Sequence, residues 1–202
     1  MRNISRLACG VVCLLAGPAL ALSCGIERVA VKNLADPQAS IAYSALAKDT
    51  TVSDLAAMPP RPKSLLLKYD NQRFPEEHFR VWVPALVIGY KLEADGDYHV
   101  VIADPDDRRV TMVVEIPSPD CITLDLREQM AGLREKFDKE IGKPSTKYKK
   151  LPHAVAVSVE GILFRDFEHG QTGAAKSGTE IHPVLAIDRK PSQLPAHSAA
   201  AD

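Results

Sequence analysis

At 202 residues, 46% of them apolar and 25% charged, the chain has a globular composition. With its terminal segments set aside it has room for one ordinary domain with a core, and hardly for two. The formal net charge of -1 becomes -3 when Arg2 and Arg6 leave with an export segment, because no acidic residue precedes Glu27. A mildly acidic surface repels phosphate backbones, so nucleic-acid binding, single-stranded included, is disfavoured outside a local basic groove.

The first 22 residues follow the secretory pattern. Arg2 and Arg6 form a positive start, residues 7–22 are almost wholly apolar or small, and Ala19-Leu20-Ala21 supplies the small residues a signal peptidase needs. Gly17 and Pro18 interrupt a run already short for a membrane span, and nothing later is long and apolar enough to be one. The expected location is therefore periplasmic or secreted. Of the four cysteines, Cys9 and Cys13 leave with the signal, and Cys24 and Cys121 remain as one expected disulfide. The alternative is lipidation at Cys24. Ala21-Leu22-Ser23-Cys24 distantly resembles a lipoprotein box, with Ala where Leu is usual three residues before the cysteine.

Residues 23–78 read as a poorly packed N-terminal arm. Val29-Ala30-Val31 is extended in character, residues 39–47 are helix-prone, and Met58-Pro59-Pro60-Arg61-Pro62 blocks regular structure because proline fixes φ and has no N–H to donate. The domain proper spans 79–189. Val81, Val83, Ala85, Val87 and Gly89 alternate as in a long strand with one buried face, and Gly89 suggests a bulge or bend. Asp95-Gly96 is a hairpin signal, residues 98–103 make the return strand, and residues 110–116 make a third. Leu126, Met130, Leu133, Phe137 and Ile141 fall on one face of a helix that Gly142 and Pro144 terminate. Val155, Val157, Val159, Gly161 and Leu163 alternate again. Residues 166–179 form a glycine-rich loop, residues 182–187 a closing strand, and residues 190–202 a disordered tail. The expected fold is mainly β with one helix (α+β): a five-stranded OB-like Greek-key barrel with an N-terminal arm.

Three clusters carry more ionisable residues than a core needs. Asp97 and His99 share a face of the second strand, Glu115 closes the third, and the last loop and strand hold Asp166, His169, Glu180 and His182. Asp97, His99, Glu115, Asp166, His169 and His182 are expected to converge at one end of the barrel, with loop 166–179 folded over them. Imidazoles and carboxylates together suit a divalent metal of the zinc, manganese or iron kind. The competing reading is structural, since carboxylates beside turns cap backbone N–H groups and no spacing here is a compact metal signature.

The motifs Cys24-Gly25-Ile26-Glu27-Arg28-Val29-Ala30-Val31-Lys32, Glu93-Ala94-Asp95-Gly96-Asp97-Tyr98-His99, Thr111-Met112-Val113-Val114-Glu115-Ile116-Pro117, Val159-Glu160-Gly161-Ile162-Leu163-Phe164, His169-Gly170-Gln171-Thr172-Gly173 and Glu180-Ile181-His182-Pro183-Val184-Leu185 resemble those of a family of exported bacterial proteins of uncharacterised activity. That resemblance implies a shared fold and export. More distantly, Asp95-Gly96-Asp97 and Glu115-Ile116-Pro117-Ser118 resemble the staphylococcal-nuclease-type OB domain, which implies Asp97 and Glu115 as calcium ligands. Ser118 stands where that family has its catalytic glutamate, and Val110 where it has an essential arginine. The leading expectation is an exported binding or accessory module without turnover. The alternative is a metal-dependent nuclease or phosphodiesterase of the thermonuclease-like type, and a third reading is a purely structural envelope protein.

Overall fold

The computed structural model describes residues 24–166 and 170–190. The export segment, His169 and the tail beyond Lys190 lie outside the described residues. Among the described residues, no helix is long and apolar enough to cross a membrane. The elements run α1 (Val29–Lys32), α2 (Ala39–Ser44), β1 (Lys48–Asp49), α3 (Val52–Ala56), α4 (Lys63–Lys68), β2 (Arg80–Leu92), β3 (Tyr98–Ala103), β4 (Thr111–Ile116), α5 (Arg127–Glu140), β5 (Lys149–Arg165) and β6 (Thr179–Arg189). The fold is α+β and mainly β, a six-stranded sheet in the order β1-β2-β3-β4-β6-β5 that a β2–β5 pairing closes into a ring.

β2 holds the ring together. Its Val81, Val83, Ala85 and Val87 face the core, as the alternation predicts. Its register with both β3 and β5 shifts between Val87 and Gly89. Gly89 is required there, since a Cβ would collide with the Tyr148 hydroxyl. β3 joins β2 only from Leu86 onward, which leaves the first half of β2 with an open edge. The sixth strand, not expected from the sequence, covers that edge: β1 pairs in parallel with Val81 and Trp82. β4 and β6 also pair in parallel, through Val113 with Glu180 and Val114 with Ile181.

The arm departs from expectation. Val29-Ala30-Val31 is helical, not extended, and the arm holds four short helices rather than one helix-prone piece. It is also well packed: Leu34, Ala42, Val52 and Leu55 join the main core. Helices this short do not persist on propensity alone, so tertiary contacts fix them. Arg28 supplies one such contact. It is almost fully buried, donates from Nη1 and Nη2 to both Glu77 carboxylate oxygens at 2.5 and 2.8 Å, and reaches the carbonyls of Gln72 and Arg165. Arg73 does the same with Asp36. The Cys24–Cys121 disulfide, with its Cα atoms 5.4 Å apart, ties the start of the arm to the segment after β4.

α5 buries Met130, Leu133 and Phe137 in the main core, on the face its periodicity marks. Phe137 meets Tyr90 edge-on at 5.4 Å between ring centroids and Tyr98 at 5.8 Å. Arg134 stacks 3.7 Å above Tyr98 and donates to the carbonyls of Gly96 and Pro117. Phe137→Ala should therefore cost about 3–5 kcal/mol in urea melts. A loss below about 1 kcal/mol would mean that α5 contributes little to the core.

Candidate functional site

Four of the six expected residues converge. His99 on β3 pairs with Lys91 on β2 and with Glu115 on β4, so a row of ionisable residues crosses the sheet. The parallel register that sets Val114 beside Ile181 places His182 next to Glu115 on β6. By strand alternation this row points away from Val100, Ile102 and Val114, which belong to the main core. It therefore lies on the outer face of the ring, where polar residues usually meet water.

Here they do not. His99 and His182 are fully buried, Glu115 is 1% exposed and Asp97 4%. Two elements cover them: the arm, through Lys32 at the end of α1, and the loop before β6, through Thr172. Gly173 lets that loop approach, since it has φ 82° and a Cβ there would strike Val101.

The contacts define the charges. His182 Nδ1 lies 3.0 Å from the Lys32 carbonyl oxygen, and its Nε2 lies 3.1 Å from Asp97 Oδ2 and 3.3 Å from Glu115 Oε2. All three partners only accept, so both ring nitrogens carry protons and the group is an imidazolium. Burial pulls its pKa down, but hydrogen bonds to Asp97 and Glu115 outweigh this and raise it. Asp97 Oδ1 accepts the Ser118 N–H at 2.7 Å. His99 has Nε2 3.0 Å from the Thr172 carbonyl oxygen, with Nδ1 between Glu93 at 3.2 Å and Glu115 at 3.4 Å. Lys32 Nζ stands 3.4 Å from Glu115 Oε2. Burial would raise the Glu115 carboxyl, yet the Lys32 ammonium and the two imidazoles hold it well below the usual carboxylate range. Lys32 itself is raised above the ordinary lysine value, since Glu115 and Asp97 overcome its desolvation. Glu180 behaves in the opposite way. Burial, then repulsion from Glu115 and Asp166, pushes it well above the carboxylate range and favours its neutral form. Lys32 and His182 thus stand against Glu115 and Asp97, and His99 lies between Glu115 and Glu93.

One atom each from Asp97, Glu115 and His182 lie within 4.8 Å of one another, as do atoms of Glu93, His99 and Glu115. These are the donors of a divalent site. The arrangement nevertheless suits an internal ammonium rather than a dication. Lys32 already stands against the shared Glu115, and a metal would require His182 to lose the proton it gives to Asp97.

Asp166, the fifth expected residue, is buried at the end of β5, with its N–H on the Gly178 carbonyl. Its field reaches Glu180, but it belongs to neither metal-type triad. His169 lies outside the described residues. Sequence reasoning missed Lys32. The need for a compensating cation was legible in the converging carboxylates, but Lys32, some 65 residues upstream of Asp97, stood only as the end of the motif 24–32 in an arm read as poorly packed. No protein family, curated protein or solved structure matches the chain.

The network has a pH signature. A raised His182 contributes stability that is complete below the ordinary imidazole range and is lost as pH rises through its folded pKa. A lowered Glu115 contributes stability that is present above the ordinary carboxylate range and is lost as pH falls through its folded pKa. His182→Gln should therefore cost about 1.5–3 kcal/mol in mildly acidic urea melts, with the gap from wild type closing toward alkaline pH. A gap that widens as pH rises would mean that the buried ring is neutral.

Proposed function

We propose that this chain is an exported binding or accessory module without turnover, built on an OB-like barrel. The barrel reading is supported by the ring order of the five long strands, the parallel pairing of β4 with β6, and the helix between β4 and β5. Export to the periplasm or beyond is supported by the secretory pattern of residues 1–22 and by the Cys24–Cys121 disulfide, which engages Cys24 in a bond that lipidation would not leave to it. The observation that carries this reading is the burial of Asp97 and Glu115, which stand against His182 and, for Glu115, Lys32 beneath the arm.

The nuclease reading rests on Asp97 and Glu115 lying in one triad. Its other parts lack support. Ser118 has no base to offer and gives its N–H to Asp97. Arg109 is exposed and paired with Asp107, while Arg165 is buried against Thr179 and the Pro59 carbonyl. General-base and phosphate-clamp chemistry needs both kinds of group within reach of a substrate.

The test is elemental analysis of the purified mature protein with an activity screen on single-stranded DNA and RNA in calcium, manganese and zinc. The expected result is substoichiometric metal and no cleavage. Cleavage that Glu115→Gln abolishes, in a variant that still melts cooperatively, would replace this reading with the nuclease.

A further inference from the structure

A groove of about 870 Å³ lies over the β2–β5 pairing. Its floor is apolar and includes Pro84, Leu86 and Val155. Its charged lining is entirely basic: Arg108 from the β3–β4 turn on one flank, Arg189 and Lys190 from the end of β6 on the other, and His153 on β5 between them. All four are exposed. Arg80, Lys91, Arg109, Arg127 and Lys136 each pair with a nearby carboxylate. No ion pair joins Arg108, His153 or Arg189 to a carboxylate among the described residues, and Lys190 sits 5.3 Å above the Trp82 ring. Four basic side chains thus border one apolar trough with no carboxylate among its lining residues.

The backbone at the groove is open as well. Val87 pairs with Val155, but Gly89 pairs with Lys150, so residues 151–154 stand outside the one-to-one register with β2. Pro152 contributes no donor there, and the bulge bends β5 away from the ladder. A concave apolar floor, cations on both flanks and an irregular strand beside it fit one kind of occupant.

We propose that the groove docks an extended acidic segment of a partner polypeptide, with apolar side chains on the floor and carboxylates paired to Arg108, Arg189 and Lys190. This rests on reading the chain as a binding module and supplies the partner's chemistry. Single-stranded nucleic acid is the poorer fit, because no Phe, Tyr or Trp lines the groove to stack a base. A lipid surface is flat where the groove is concave.

The experiment uses the mature protein and three labelled probes followed by fluorescence anisotropy: a ten-residue peptide alternating Glu with Leu or Val, the same peptide with Lys for Glu, and a thymidine decanucleotide. The acidic peptide should bind, the lysine peptide should not, and binding should weaken as salt rises. Arg108→Glu with Arg189→Glu, both at exposed positions, should weaken it at least roughly tenfold without moving the melting curve. If that pair instead unfolds the protein, Arg108→Gln with Arg189→Gln is read in its place and should also weaken binding. Failure of the acidic peptide to bind, indifference of its affinity to these changes, or preference for the oligonucleotide would each overturn the proposal. The turnover screen is independent of these probes, so loss of the groove leaves the module reading standing, and nuclease activity would remove that reading while a groove that binds peptide stands.

Discussion

Burying a carboxylate in a protein interior costs several kcal/mol unless an opposite charge and hydrogen bonds replace its water. Glu115 is buried on what would otherwise be the wet face of the sheet, so everything above it has to supply that replacement. Lys32 supplies the charge, and it can do so only because α1 lies where it does. The Lys32 carbonyl also receives the His182 N–H, so one residue of the arm neutralises the carboxylate and fixes the protonated ring beside it. The arm is thus the missing half of the outer layer and not an appendage. β3 is buried on both faces along its whole length for this reason.

A second set of interactions holds α1 in place. Arg28 adopts a left-handed backbone at φ 48°, a strained conformation for a residue with a Cβ. Its guanidinium spans Glu77, the Gln72 carbonyl and the Arg165 carbonyl, while its N–H reaches Asp70. Glu77 returns contacts to the backbone N–H groups of Phe74 and Arg165. One buried pair thereby joins the arm, the turn before β2 and the end of β5. The disulfide restrains the same arm from its first residue, and by loop entropy a closure of this span contributes about 4 kcal/mol. Charge compensation at Lys32 is therefore secured four residues upstream by Arg28 and eight upstream by Cys24.

What the sequence revealed and what it hid follow from how far each signal reaches. The alternation of Val81, Val83, Ala85 and Val87 and the helical spacing of Met130, Leu133 and Phe137 are local consequences of burial, and both marked the correct faces. Gly89 and Asp95-Gly96 were readable because backbone geometry there demands particular residues. Asp97, His99, Glu115 and His182 could be grouped because strand pairing brings their motifs together. Val29-Ala30-Val31 misled because its β-branched residues favour extended backbone, and the buried Arg28 contacts that override this preference come from residues 41 to 137 positions away. Lys32 could not be chosen among the basic residues because its role exists only once α1 is packed.

The two outer faces of the ring follow opposite electrostatic logic. On the β3-β4-β6 side, carboxylates and imidazoles were brought together and then covered, with Lys32 set against Glu115. On the β2–β5 side, cations were brought together and left uncovered around an apolar floor. Further along the same strand pair Glu160 is set against Arg80, whereas no carboxylate among the described residues pairs with the arginines of the groove. Uncompensated like charge is a standing cost to the isolated fold, and one that a partner bearing the opposite charge removes. The chemically rich cluster therefore explains how the protein is held together, and the chemically plainer groove is where it can meet something else.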